Sequence, residues 1–499
     1  MLLSFLISSF FTVKSVNSAV KTYHYFFLLL TYTICPQGII MKKITFLSSL
    51  LWFSFCACSE ETDVTLNAYA AGYVANFTCS ATFNADKTTE QIVTDELTGI
   101  YPLIADTVKT LQANIDTKYR RVTVDYDKDK QRISVWRPRL GCVDLPVGAS
   151  LESASLVQSP FKENLADLKD DGKPWQTLNG VNKTTGNKAL DEVIAQAFTR
   201  HYGEGARTSA ILIASPQAIL AEQYKAGFTP ETAQRTWSVA KSIGASIIGV
   251  AVEQKRLDVT KPAGLESWSH SLDPRGEITL ENLLHMASGL DSNKAGNRTD
   301  RVYMGGGLVS DTATHTALEV KPGSRWKYAN NDTMLALRTL RETFKDEASY
   351  LRYPYENLLD KIGMQHTFLE SDWQSDFILS SQVWTTSRDL ARLGLLHLNN
   401  GRWQGEQILP KDWLSYISKP APAQPPEAAP GYGAQWWLYN ERFPELPNDT
   451  IAARGNRGQY LVIIPSEQLV IVRRGYDLAG LKGFSEHDFT RDVLKALRQ

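Results

Sequence analysis

The sequence predicts an α+β fold in which an antiparallel sheet is assembled from both ends of the region 181–499, flanked by helices and interrupted by a mainly helical insertion. Three observations predict it. Strand pairs with short turns occur far apart, at 209–224 and at 459–473. Between them runs a helix, 243–252, that is apolar on nearly all sides, the mark of a helix buried in a core. A terminal helix over 486–497 follows the second hairpin. A sheet closed from both termini leaves a cleft beside the insertion, a natural place for a site.

The bulk properties set bounds. With 499 residues, 43% of them hydrophobic and 21% charged, the chain has ample material for a core and room for more than one domain. A formal net charge of -1 gives no electrostatic case for nucleic acid or an anionic membrane surface.

Residues 1–58 read as an export signal region. Met41-Lys42-Lys43 is a basic start, the apolar run 44–55 follows, and the true beginning of the protein is expected at Met41. Ala57-Cys58-Ser59 places a small residue before a cysteine, so Cys58 is the candidate for lipidation. The earlier apolar run 25–30 is shorter than the ~20 residues a membrane span needs. The expected location is the periplasm, or the outer membrane as a lipoprotein, with membrane contact only through the signal or lipid. In that oxidising compartment Cys79 and Cys142 are expected to pair, two buried thiols being the alternative. No CxxC or Cys/His spacing suggests zinc, and neither metal nor cofactor is expected.

Residues 59–180 read as a small mixed region ending in a linker. Helical spacing over 88–111 is interrupted by Gly99 and Pro102, and strands at 121–126 and 132–136 enclose a polar turn. The third region, 181–499, opens with an amphipathic helix at 189–198 and the first hairpin.

Its chemistry begins at Ser238. Ser238 and Lys241 are three apart at the head of the apolar helix, so they share a face and the amine can reach the hydroxyl. Desolvation in such a core favours the neutral amine that a base requires. The alternative is an N-cap serine beside a snorkelling lysine. The helical segment 278–290 contains His285, read as a packed core histidine rather than a base. A Pro-Gly turn then leads to Tyr328-Ala329-Asn330, which puts a phenol and an amide on one side of an extended segment.

Ser-x-x-Lys, then Tyr-x-Asn, then the glycine motif Ala453-Arg454-Gly455-Asn456-Arg457 heading a late strand is the order found in penicillin-recognising serine enzymes. From about Trp175 to the C-terminus the chain resembles class C β-lactamase-like (β-lactamase/transpeptidase-like) serine hydrolases, within the esterase and 6-aminohexanoate-dimer-hydrolase branch. The stretch 377–391 shares in the resemblance, and the region around Cys79 and Cys142 is similar to an N-terminal extension of some members. The resemblance implies that Ser238 attacks a carbonyl, with Lys241 and Tyr328 sharing the acid and base work in an order it leaves open. It implies that Asn330 holds Lys241 and the substrate, and that the backbone N–H groups of Ser238 and Asn456, beside Gly455, form an oxyanion hole. Penicillin-binding members carry Lys or His where this chain has Ala453. Arg454 or Arg457 is the candidate replacement for that charge, and the departure favours an esterase or amidase over a β-lactamase or peptidoglycan carboxypeptidase. A non-catalytic binding protein on this fold is expected to have lost Ser, Lys or Tyr, and all three are present. The block through Arg298, Asp300, Arg301, Tyr303 and 305–307 is expected at the pocket rim. The expected partner is a small ester or amide, and nothing in the sequence sets an oligomeric state.

Overall fold

The computed structural model describes residues 48–100, 102–162, 177–291 and 300–499, with side chains from 65 onward except those of 300 and 303. Most of the expected signal, the side chain of Cys58, most of the expected linker and Arg298 lie outside the described residues. The chain divides into two compact units, Met1–Ala57 and Cys58–Gln499. Apart from the first turns of the leading helix, the second unit carries everything below. No described helix is long and apolar enough to cross a membrane.

The leading helix, Ser48–Phe83, is followed by a short helix (Thr89–Gln91), a π-helical turn (Ile92–Glu96) and a second short helix (Pro102–Val108). The helical signal of 88–111 is therefore broken where Gly99 and Pro102 stand. Four strands come next: β1 (Ala113–Asp116), β2 (Arg121–Asp127), β3 (Lys130–Arg137) and β4 (Gly141–Asp144), paired in sequence order as an antiparallel meander. Asp127 opposes Lys130 across the turn, as the polar run between the two apolar stretches predicts. Cys79 on the leading helix is bonded to Cys142 on β4, with their Cα atoms 6.1 Å apart.

The principal sheet has seven strands. It uses β5 (Thr208–Ala214), β6 (Ile219–Tyr224), β12 (Gly431–Tyr432), β13 (Trp437–Leu438), β14 (Ile451–Gly455), β15 (Gln459–Ile464) and β16 (Leu469–Gly475). Their spatial order is β12-β13-β14-β15-β16-β5-β6, antiparallel throughout. The two hairpins foreseen from the ends of the region meet where β16 pairs with β5, Ile471 opposite Ile213. Two smaller sheets lie in the insertion. One joins β7 (Gln234–Arg235), β8 (Phe368–Leu369) and β9 (Val383–Thr385), and the other is the ribbon β10 (Arg402–Trp403) with β11 (Glu406–Gln407).

Successive residues of a strand face opposite ways, and here both faces are covered. Leu212, Leu461, Ile463, Val470 and Val472 enter the large core with Ile243, Ile247 and Leu390. Their neighbours Ile211, Ile213, Val462, Ile464 and Ile471 enter a second core with Leu190, Ile194, Phe489 and Val493, from the helices Lys188–Ala197 and Glu486–Leu497. Burial on both sides is why these strands read as unbroken apolar runs instead of alternating. The helix that follows Ser238, Val239–Glu253, is buried from Val239 to Ala251. Beside it the helix Ser387–Leu398 lies so near the sheet that a Cβ on Gly394 would come within 2.7 Å of Val470.

The disulfide closes a sequence separation of 63 residues inside the N-terminal region. Replacing both cysteines by alanine is expected to lower the unfolding free energy by about 2–4 kcal/mol. The check is the urea midpoint at unchanged slope; an unmoved midpoint would show that the leading helix and β4 need no tether.

Candidate active site

The residue that positions Ser238 is an unusual one. β7 is pinned to β9, and the Thr236 N–H donates to the Val383 carbonyl at 2.8 Å. The Arg474 guanidinium, reaching from β16, donates to the carbonyls of Gln234 (2.6 Å) and Thr385 (2.7 Å), locking the two sheets together. The chain then turns through Trp237 at φ +50°, a left-handed conformation that costs a non-glycine residue ~1–3 kcal/mol. The turn is held by stacking: the Arg235 guanidinium lies 3.9 Å from the Trp237 ring and 4.1 Å from the ring of Phe77 on the leading helix.

Ser238 follows at the N-cap position, yet its side chain makes no capping hydrogen bond. The first helical N–H groups are satisfied by the turn itself: Val239 donates to Thr236, Ala240 to Trp237 and Lys241 to the Ser238 carbonyl, at 3.0 to 3.3 Å. The hydroxyl is thus left for other partners, which removes the capping alternative. Lys241 Nζ lies 3.3 Å from Ser238 Oγ, 2.6 Å from Asn330 Oδ1 and 2.7 Å from the Ser380 carbonyl oxygen. It is only 1% exposed, so it does not snorkel. Burial pushes its amine down to about 7.

Tyr328 stands across from this pair, with Lys241 Nζ 5.0 Å from the centre of its ring. Burial pushes its phenol up to about 12, against a hydrogen bond from Ser238 and the positive charge of Arg454, both of which favour the phenolate. Ala329 is the extended N-cap of the helix Asn330–Arg341, which places Asn330 at the start of that helix, turned to Lys241. Gly455 ends β14 against the same turn. A Cβ there would sit 2.3 Å from the Thr236 carbonyl oxygen and 3.2 Å from the Ser238 nitrogen, so only glycine allows this approach. Asn456 follows on the exposed side of the β14–β15 connection.

Residues 195–473, more than half of the 499-residue chain, match the protein family described as Beta-lactamase. The chain belongs to the beta-lactamase family. The 6-aminohexanoate-dimer hydrolase of Paenarthrobacter ureafaciens is 26% identical over 300 residues, which cover 53% of this chain and 72% of that one. In fold it is similar to a beta-lactamase-like protein of Bacteroides dorei (21% identity, TM-score 0.52, 63% of this chain and 100% of that one). A penicillin-binding-protein homologue of Caulobacter crescentus aligns at 14% identity and TM-score 0.50, over 64% of this chain and 98% of that one.

In this beta-lactamase-family chain the charges expected beside the glycine motif are otherwise engaged. Arg454 borders the site but is paired with Glu486 at 2.6 Å and lies 5.4 Å from the Trp437 ring. Arg457 points away from the pocket. It is buried, and its guanidinium donates to the backbone carbonyls of Asp95 and Thr98, each at 2.7 Å. The expectation that Arg457 replaces the missing charge is therefore corrected: burial and four backbone acceptors leave it nothing to offer a substrate. Ala453 is buried in the large core.

His285 is buried and faces Tyr416, and burial pushes it down to about 4, as suits a neutral packed ring. The stretch after Tyr303 is held against the N-terminal region, where the Met304 carbonyl accepts from Arg132 and a Cβ on Gly306 would sit 2.3 Å from the Leu145 carbonyl. Among the described residues no group of three or more His, Cys, Asp or Glu is placed to hold a metal. Two features escaped the sequence: the Ser380 carbonyl on Lys241, and the wall of Trp326, Tyr432 and Trp437 around Tyr328, with Trp437 stacked on it at 5.7 Å. The Gly-Tyr and Trp-Trp pairs of 431–437 are the only signal for the wall, and the neighbouring prolines mask it as a surface loop.

Gly455→Ala must push β14 off the Ser238 turn. A loss of at least ~100-fold in fluorophosphonate labelling of Ser238 is expected, the scale of removing one oxyanion donor; labelling at the wild-type rate would show that the contact is not needed.

Proposed function

We propose that the protein is a hydrolase of small esters or amides that works through an acyl-enzyme on Ser238. The observation that carries this reading is the set of partners around Lys241. A neutral amine has two N–H donors and one lone pair. In the structure Lys241 Nζ donates to Asn330 Oδ1, to the Ser380 carbonyl and, over the longest distance (3.3 Å), to Ser238 Oγ; once the amine is neutral the two short contacts keep its two N–H donors, and the lone pair is left for the Ser238 hydroxyl. Lys241 then receives the hydroxyl proton as Oγ attacks the substrate carbonyl carbon. The negative charge on the carbonyl oxygen is met by the N–H groups of Ser238 and Asn456. Tyr328, protonated far above neutral pH, gives its proton to the leaving alcohol or amine and is reprotonated from Lys241. Water then enters where the leaving group was and releases the acid by the same steps in reverse.

The opposed shifts of the two groups support Lys241 as first base and Tyr328 as acid. For the substrate, an ester or amide is favoured over a β-lactam because Ala453 carries no charge and Arg454 is already paired with Glu486. The Paenarthrobacter relative, named as hydrolysing a dimer of 6-aminohexanoate, supports the same side of the family. Export to the periplasm, with or without a lipid on Cys58, is part of the reading; the signal-like run before Cys58 and the Cys79–Cys142 disulfide support it.

Ser238→Ala is expected to reduce p-nitrophenyl ester hydrolysis by at least ~10³-fold. An unchanged rate in that variant would sink the mechanism, and efficient turnover of nitrocefin by the wild type would move the substrate to β-lactams. The pH dependence has a definite sign. Below about 7 the Lys241 amine is protonated and has no lone pair, so kcat/KM is expected to rise through that value and level off above it. A flat profile from pH 5 to 9 would exclude Lys241 as the base.

A further inference from the structure

The N-terminal region reaches the back of the site at two places. Phe77 and Arg235 clasp Trp237, the left-handed residue immediately before the nucleophile. Arg457, on the connection that carries Asn456, is itself left-handed at φ +58°. Its side chain donates to Asp95 and Thr98 in the N-terminal region and, at 3.3 and 3.4 Å, to the carbonyls of Asp477 and Tyr476 beyond β16. Its own carbonyl accepts from the Asp477 N–H at 3.1 Å, and its N–H donates to Asn456 Oδ1 at 2.9 Å. Every acceptor of the guanidinium is a backbone carbonyl, so the arginine fixes the position of the turn and not merely a charge balance.

We propose that Arg457 is a positioning residue for the oxyanion hole and that residues 92–98 are its anchorage, so that the N-terminal region serves as an internal buttress of catalysis. This rests on the reading of Ser238 and Asn456 given above. Gly455 is packed against the Ser238 nitrogen with no space to spare, so the direction of the next N–H is set by whatever holds Asn456 and Arg457. The N–H of Ser238 is set by Trp237 in the same way. Two donors must converge on one oxygen, and both are held from the same region.

The test uses the full chain and a reversible arylboronic acid, whose boron accepts Ser238 Oγ as the hydroxyl proton passes to Lys241, giving a tetrahedral adduct that needs the oxyanion hole. In Arg457→Ala the boronate affinity and kcat for a p-nitrophenyl ester are expected to fall together by ~10–100-fold, with KM within ~3-fold of wild type. The rise of kcat/KM with pH is expected to stay in place, because Lys241 is untouched. Arg457→Lys, which keeps the charge but gathers its donors on one atom and so cannot span all the carbonyls, is expected to fall between, and it serves alone if the alanine variant does not fold. A boronate affinity within ~3-fold of wild type in these variants, or a parallel change in KM and in the pH profile, would overturn the proposal. Wild-type protein that binds no boronate, together with full ester hydrolysis by Ser238→Ala, would instead overturn the reading of the site on which it rests.

Discussion

The structure depends on keeping one lysine dry. An ammonium in water has no lone pair at neutral pH, and the side chain becomes a base only where hydration is withdrawn and no carboxylate replaces it. The helix Val239–Glu253 does this by being buried from Val239 to Ala251, under a sheet that is itself covered on both faces, with the centre of the Tyr328 ring 5.0 Å from the amine. Its hydrogen-bonding partners are an amide oxygen, a carbonyl and a hydroxyl, none of them charged. They satisfy the amine without stabilising its protonated form as a carboxylate would. Elsewhere the same fold shows the opposite arrangement: Lys87, equally buried, lies against Glu96 and Asp95 and is held firmly protonated.

What the sequence made legible follows from what side-chain identity can encode. Apolar runs such as 210–214 and 461–464 expose the doubly buried strands, because both faces of these stretches are packed against apolar side chains. Ser238, Lys241, Tyr328 and Asn330 are visible because their chemistry requires those residue types, and the structure brings these four together. The Ser380 carbonyl was not visible, since any residue supplies a carbonyl and only the path of the chain aims it. Arg454 and Arg457 look equivalent in sequence. Their fates are decided by Glu486 on the terminal helix and by the carbonyls of Asp95 and Thr98, partners distant in the chain. The strands β12 and β13 have two residues each, too short for any periodicity to appear.

The N-terminal region takes part in holding the turn at Ser238. Trp237 and Arg457 both occupy left-handed conformations that a bulky residue adopts only when its surroundings over-determine it. In each case a guanidinium does the fixing: that of Arg235 stacks between the rings of Phe77 and Trp237, and that of Arg457 is spread over backbone carbonyls. A planar, permanently charged group with donors fixed in a fork suits both tasks, whereas the donors of a lysine converge on one atom and it has no plane to stack. The strain stored next to Ser238 is thus balanced outside the sheet and helices of the catalytic region, by a segment whose own disulfide ties the leading helix to β4.

One physical cause separates the roles proposed for Lys241 and Tyr328. Loss of hydration disfavours whichever form is charged, and the charged forms of an amine and a phenol lie on opposite sides of their titrations. The same enclosure therefore lowers Lys241 to about 7 and raises Tyr328 to about 12, with no dedicated charge needed for either. In the proposed reaction this sets a base ready to accept the Ser238 proton beside an acid ready to give its own proton to the leaving group, Lys241 then reprotonating Tyr328. Arg454, paired with Glu486, opposes the shift of the phenol: its charge draws Tyr328 back towards the phenolate, and burial outweighs that pull.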